Sequence, residues 1–180
     1  MPSPKKFGLV AVALSVAMFS TCNHASAQFG GLFSGGAEIE TIDTKALNEL
    51  LTKQKKLVDR AEQNSLPAPK PNFVLVDVRS EKEVNVSVIP GAITKSMYEK
   101  DDARYQGKLV IAYCTVGGRS GAYAKQLTRK GVKVQNYKGS ILKWVDAGLP
   151  LVTLDGRPTN RVHTYSDRYR IPDKYEQVTE

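Results

Sequence analysis

Cys114 closes an apolar run, Leu109 to Tyr113, and is followed by Thr115, Val116, Gly117, Gly118, Arg119 and Ser120. A cysteine, a glycine pair and an arginine so close together are equipped for covalent chemistry at sulfur. If the run is a strand and the residues beyond Ser120 are a helix, the thiol lies on a short loop. Peptide N–H groups of such a loop converge with the positive end of the helix dipole. A thiolate is stabilised there over a thiol, so it titrates below the free value of about 8.5. Gly117 and Gly118 remove side chains where the backbone turns sharply and leave room for a substrate. Arg119 offers a planar, permanently charged fork to an oxyanion.

The elements that must hold this loop can be read on either side of it. Lys108 to Tyr113 has the Leu, Val, Ile and Tyr content of a strand buried on both faces. Ser120 is a good N-cap, Gly121 to Lys130 is predicted to be helical, and Gly131 can supply a left-handed stop. Other strands are expected over Glu38 to Ile42, over Phe73 to Val78, around Ala92 and Ile93, and over Val132 to Tyr137. A helix capped by Asp43 or Thr44 carries Leu47, Leu50, Leu51, Leu57 and Val58 at helical spacing and ends before Asn64. Ser140 is expected to cap a helix from Ile141 to Ala147, with Trp144 turned into the core. Strands that alternate with helices give an α/β fold, a doubly wound parallel sheet with helices on both faces. Ligands of such sheets bind beyond the carboxyl ends of the strands, where Cys114 falls.

The segment Cys114-Thr-Val-Gly-Gly-Arg119-Ser120 resembles the active-site loop of rhodanese-type sulfurtransferases, Cys-x-x-Gly-x-Arg-Ser, at every defined position. Phe73-Val-Leu-Val-Asp77-Val-Arg79, then Glu83 and Ile89-Pro-Gly-Ala92, is similar to the family's first signature. There Val88 stands for the usual histidine, Ser87 for a glycine and Val84 for an aromatic, so this loop is expected to pack in its own way. Tyr137-Lys-Gly139-Ser140, Trp144 and Gly148-Leu-Pro150 look like the closing signature, with Ser140 in place of the second glycine. The resemblance covers roughly residues 40 to 152, and three signatures in order are more specific than any one. It implies that Asp77 and Arg79 tie loops together and do not act as acid and base.

Met1 to Ala27 reads as a cleavable signal peptide: Lys5 and Lys6, an apolar stretch from Phe7 to Phe19, then Ala25-Ser26-Ala27. That points to the periplasm or to secretion. A lipid anchor on Cys22 is disfavoured, because Phe19-Ser-Thr-Cys22 is a poor lipidation sequence. Cleavage removes 27 of 180 residues and leaves 153, enough for one domain. Residues 28–37 are expected to be a flexible glycine-rich lead-in, 38–152 the rhodanese-like domain, and 153–180 an extension packed on it, anchored by Tyr165, Tyr169 and Tyr175. His163 lies within that extension, far from Cys114 in sequence. Leu66-Pro-Ala-Pro-Lys-Pro71 reads as a stiff spacer.

Cleavage would leave Cys114 as the sole cysteine, with no possible internal disulfide, and an unpaired thiol after export asks for a functional role. It would take the net charge from +8 to +6 by losing Lys5 and Lys6. Lys125, Arg129, Lys130, Lys133, Lys138 and Lys143 follow the loop, and a solvated helix face is preferred to an anion-steering role for them. Nucleic acid is not expected as a partner, nor is stable membrane insertion.

The resemblance implies that Cys114 attacks the sulfane sulfur of a small anionic donor, thiosulfate or a persulfide. The resulting enzyme persulfide passes sulfur to cyanide or a thiol, with Thr115 to Ser120 supplying amides and Arg119 orienting the donor or supporting the loop. No cofactor is required, and one cysteine with one histidine are too few for zinc. The alternative is a sulfur-carrier or non-catalytic binding module of the same fold. Phosphatase or arsenate reductase chemistry shares the thiolate cradle, but only four residues separate Cys114 from Arg119, one fewer than in tyrosine phosphatases.

Overall fold

A computed structural model describes residues 38–179, which lie in one compact unit. The predicted signal peptide and lead-in fall outside the described residues. Among the described residues, no helix is long and apolar enough to cross a membrane.

In chain order the elements are β1 (Thr41–Ile42), α1 (Thr44–Gln63), β2 (Phe73–Asp77), α2 (Glu81–Val84), β3 (Ala92–Thr94), α3 (Lys95–Lys100), β4 (Leu109–Tyr113), α4 (Gly118–Arg129), β5 (Val134–Tyr137) and α5 (Ser140–Asp146). Beyond these come β6 (Leu151–Val152), β7 (Pro158–Thr159), β8 (Arg161–His163) and β9 (Glu176–Val178). The first five strands make one sheet in the order β1-β5-β4-β2-β3, and every pair in it is parallel.

Alternation along the strands divides the core into two layers, because successive side chains of a strand point to opposite faces. Phe73 and Leu75 of β2 with Ile111 and Tyr113 of β4 pack against Leu47 of α1 and Ile141, Trp144 and Val145 of α5. Val74 and Val76 of β2 with Val110 and Ala112 of β4 pack against Tyr98 of α3 and Tyr123, Ala124 and Leu127 of α4. Helices therefore cover both faces, and the central strands need apolar residues throughout. The doubly wound α/β architecture is the one the sequence predicts.

The α1 helix begins as expected: the Asp43 carboxylate accepts the Ala46 N–H at 2.8 Å. Trp144 is buried, and its indole N–H donates to the Pro150 carbonyl at 2.8 Å. Two helix starts differ from expectation. The α4 helix opens at Gly118, two residues before Ser120, because Gly117 adopts φ +93° and turns the chain immediately into the helix. Ser140 is not a cap either. It is the first residue of α5, at φ +53°, and its hydroxyl turns inward, where it accepts the Cys114 N–H at 3.0 Å and donates to the Tyr137 carbonyl at 2.9 Å.

Val88, where the resembling family has histidine, is buried and paired through its backbone with Val152, at 2.7 and 3.0 Å. The extension joins the same layer as α1. Val162 and Tyr175 belong to its buried cluster, and the Tyr175 hydroxyl donates to the Leu149 carbonyl at 2.6 Å. β8 and β9 pair in parallel beside the main sheet.

Candidate active site

β4 and β2 are adjacent, yet the chain leaves β2 toward β3 and leaves β4 toward β5 on the other side. The crevice beyond their carboxyl ends is thus the point at which the winding reverses. Cys114 follows β4 there, Asp77 is the last residue of β2, and Arg79 comes just after it.

The loop from Cys114 to Gly117 is held by its carbonyls. Those of Cys114 and Thr115 accept N–H groups of Ile141 and Leu142, at 3.1 and 3.3 Å. That of Gly117 accepts from Gly121 N at 3.0 Å, Ser120 Oγ at 3.2 Å and Asn136 Nδ2 at 3.3 Å. With its carbonyls tied outward, the loop turns N–H groups inward. Gly117 N donates to Cys114 Sγ at 3.1 Å, and Ser120 Oγ stands 3.6 Å from the same sulfur. Gly117 has no substitute here. A Cβ on it would stand 2.2 Å from the Lys138 carbonyl oxygen, quite apart from the positive φ.

Cys114 is only 1% exposed, and burial pushes its thiol up. The Ser120 N–H and hydroxyl, with the Val116 and Gly117 N–H groups, more than offset this and hold it below the ordinary thiol value. The sulfur is thus disposed to be anionic in a site of low water access.

Arg119 does not reach free into the crevice. Nη1 and Nη2 donate to the two Glu83 oxygens, each at 2.7 Å, and Nη2 also donates to Thr115 Oγ1 at 2.8 Å. Thr115 Oγ1 in turn donates to Glu83 Oε1 at 2.9 Å, so Thr115 braces the pair. Glu83 is buried, which raises its carboxyl. Arg119, Ser80 and Thr115 outweigh this and hold it at about 2. The Glu83 bonds and the nearby Cys114 sulfur in turn hold the guanidinium charged. Val116 is exposed at the loop surface, and a Cβ on Gly118 would meet nothing within 4 Å.

Asp77 and Arg79 form a fully buried pair at 2.7 Å, and Arg79 also donates to the carbonyls of Ser87 at 2.6 Å and His163 at 3.5 Å. They bind three segments together. Lys125, Arg129, Lys130 and Lys133 are exposed on α4 and the turn that follows it, as a solvated face should be.

Sequence reasoning missed three neighbours of the loop. Glu83 was visible only as a signature residue, 36 positions from its partner Arg119. His163 is buried, with Nδ1 accepting the Tyr165 N–H at 3.0 Å. The Tyr165 ring lies 5.7 Å from the Arg119 guanidinium. No local pattern marks the last two, because they reach the site through the β8–β9 pairing.

The family model of the rhodanese-like domain matches residues 53–147. A tRNA sulfurtransferase of Desulfurococcus amylolyticus is 34% identical over 83 residues, which make up 46% of this chain and only 16% of that protein. A sulfurtransferase of Allochromatium vinosum is 30% identical over 89 residues, 47% of this chain and 83% of that protein. Among solved structures, the BH2092 protein of Bacillus halodurans aligns with a TM-score of 0.49 at 19% identity, over 63% of this chain and 77% of that one.

Proposed function

The chain belongs to the rhodanese-like domain family, and from that premise we propose that it is a sulfurtransferase, acting outside the cytoplasm, that carries a sulfane sulfur on Cys114. The thiolate attacks the outer sulfur of a donor such as thiosulfate. The donor S–S bond breaks, sulfite leaves with the electron pair, and a persulfide remains on the enzyme. A nucleophilic acceptor, cyanide or a thiolate, then attacks the outer sulfur and Cys114 departs as thiolate. Two displacements through one covalent intermediate give ping-pong kinetics.

One observation carries this reading: the thiol sits against the Val116, Gly117 and Ser120 N–H groups, which hold it below its ordinary value despite burial. The same donors can hold the charge of a terminal persulfide sulfur. Arg119, committed to Glu83 and Thr115, supports the loop. Neither displacement calls for a metal or an organic cofactor.

Thiosulfate treatment of the purified protein is expected to add one sulfur, about 32 Da, to the intact mass, and Cys114→Ser to abolish the gain. Absence of the adduct with every sulfane donor tried would favour the binding-module alternative. Export rests on the basic start, the apolar stretch and Ala25-Ser26-Ala27. Fractionation and N-terminal sequencing of the expressed chain should place it outside the cytoplasm beginning at Gln28; an unprocessed cytoplasmic form would refute that part.

A further inference from the structure

We infer that the groove between α1 and the β3 edge of the sheet is a second ligand site, separate from the Cys114 crevice, and that it takes a monoanionic amphiphile, an alkyl chain ending in a carboxylate. The inference goes beyond sulfur transfer and does not depend on it.

The groove holds about 870 Å³, within the range of small-molecule sites. Phe73, Leu75 and Trp144, all buried core residues, form its floor. Half-buried Leu51 and Val58 of α1 make one wall, and half-buried Pro90 and Ile93 make another. The Pro-rich exit from α1 keeps the space open. Gln54 Nε2 donates to the Pro69 carbonyl at 2.8 Å, which ties the linker back along the helix, and Lys70 and Pro71 line the groove where the chain approaches β2. A proline-rich segment is too stiff to collapse into the space beside it, so the spacer read from the sequence has a structural task. The site lies at the opposite end of the sheet from the thiol. Pro71, Pro90 and Lys108 stand just before β2, β3 and β4, whereas Cys114 follows β4, and these strands are parallel.

The charges of the groove favour an anion. Four cations line it, Lys55, Lys70, Arg104 and Lys108, with two carboxylates, Asp59 and Glu62. Lys55 donates to both Asp59 oxygens, at 2.7 and 2.9 Å, so those two cancel. Among the described residues Lys70, Arg104 and Lys108 have no ion pair, which leaves three cations against Glu62. Asp101 and Asp102, beside Arg104 in the chain, are exposed and outside the lining. Arg104 Cζ and Lys108 Nζ stand 5.9 and 5.8 Å from the centre of one ring, that of Tyr105, which is itself stacked on Tyr98 at 5.5 Å between centroids. The ring attracts each cation, but two like charges gathered on it repel each other, and a carboxylate beside them relieves that repulsion. A hydrophilic anion would leave the apolar floor wet, and an uncharged hydrocarbon would leave the cations unmatched. A hydrocarbon body with one anionic head satisfies both.

Trp144, the sole tryptophan, lines the groove, so its fluorescence reads occupancy. The purified protein would be titrated with hexanoate, octanoate and decanoate below micelle-forming concentrations, with calorimetry as a second readout. Affinity is expected to rise by about fourfold for each added methylene that is buried, and decyltrimethylammonium is expected not to bind. Arg104→Gln combined with Lys108→Gln should weaken decanoate binding by about tenfold. Val58→Glu keeps a good helix former in α1 and sets a carboxylate in the groove wall. It should abolish binding while thermal unfolding stays cooperative. Sulfur loading of Cys114 should be unchanged in these variants, and failure of the sulfur-transfer reading would leave the inference standing, since the binding readouts do not use Cys114. Affinity that is flat with chain length, equal binding of the cationic amphiphile, or variants that bind decanoate as the unmodified protein does would overturn it. So would dimerisation lost in Val58→Glu without carboxylate binding, which would assign the groove to a second copy, or binding of an acidic peptide alone, which would assign it to a protein partner.

Discussion

The reactivity of Cys114 depends on a contest between burial and hydrogen bonding that N–H groups win. The difference in thiolate ultraviolet absorbance between the protein and Cys114→Ser should titrate with a midpoint below that of a free thiol, a measurement that needs no reagent to enter the site. A midpoint above the free value would mean that desolvation dominates and the cradle is closed to charge. Ser140 belongs to the same contest. The resembling family has glycine there, and the serine accepts a left-handed backbone while its hydroxyl takes the Cys114 N–H. From sequence alone Ser140 looked like a helix cap, since serine before an apolar stretch signals one. What sequence could not express is that this hydroxyl turns back across 26 positions to the Cys114 loop.

At the scale of elements, the junction of β4, the loop and α4 sets the geometry of the site. The strands were legible because both faces of β2 and β4 are buried and every residue is apolar up to the polar boundary. The helix start was not, because positive φ at Gly117 is a property of the fold and Gly117 and Gly118 look alike in sequence. They are not alike in effect. Gly117→Ala should abolish sulfur loading, since its Cβ would collide with the Lys138 carbonyl. Gly118→Ala should leave loading within about twofold, because no atom stands in the way. Equal loss in both variants would show that room for substrate, not backbone shape, is the requirement.

The α2 helix contributes through Glu83. Its folded value of about 2 lies below the ordinary 4.5, so the pair with Arg119 stabilises fully above 4.5 and fades as pH falls toward 2. Glu83→Gln should therefore cost about 2 kcal/mol at neutral pH, discounted for the 42% exposure of Arg119. Denaturant midpoints of the two proteins should converge as the solution is acidified through that window, and a gap that persists at the acid end would contradict the assignment.

Across the whole molecule, the extension is part of the fold. Tyr175 and Val162 lie in one buried cluster with Leu47, Phe73 and Trp144. Removing residues 153–180 should expose that cluster, and the shortened chain should show non-cooperative thermal unfolding by circular dichroism where the full chain unfolds in one transition. The three tyrosines hinted at packing, but their roles divide. Tyr175 is core and Tyr165 is surface, and which is which depends on the parallel pairing of β8 with β9, a contact with no local trace in sequence.

That late closure also affects how the chain is made. A cluster opened by Leu47 and finished by Tyr175 spans nearly all the described residues, so a growing polypeptide carries its apolar layer unsealed until Tyr175 has been added. Until then that layer stays pliable, a state that would suit the threading through a narrow passage that the proposed export requires.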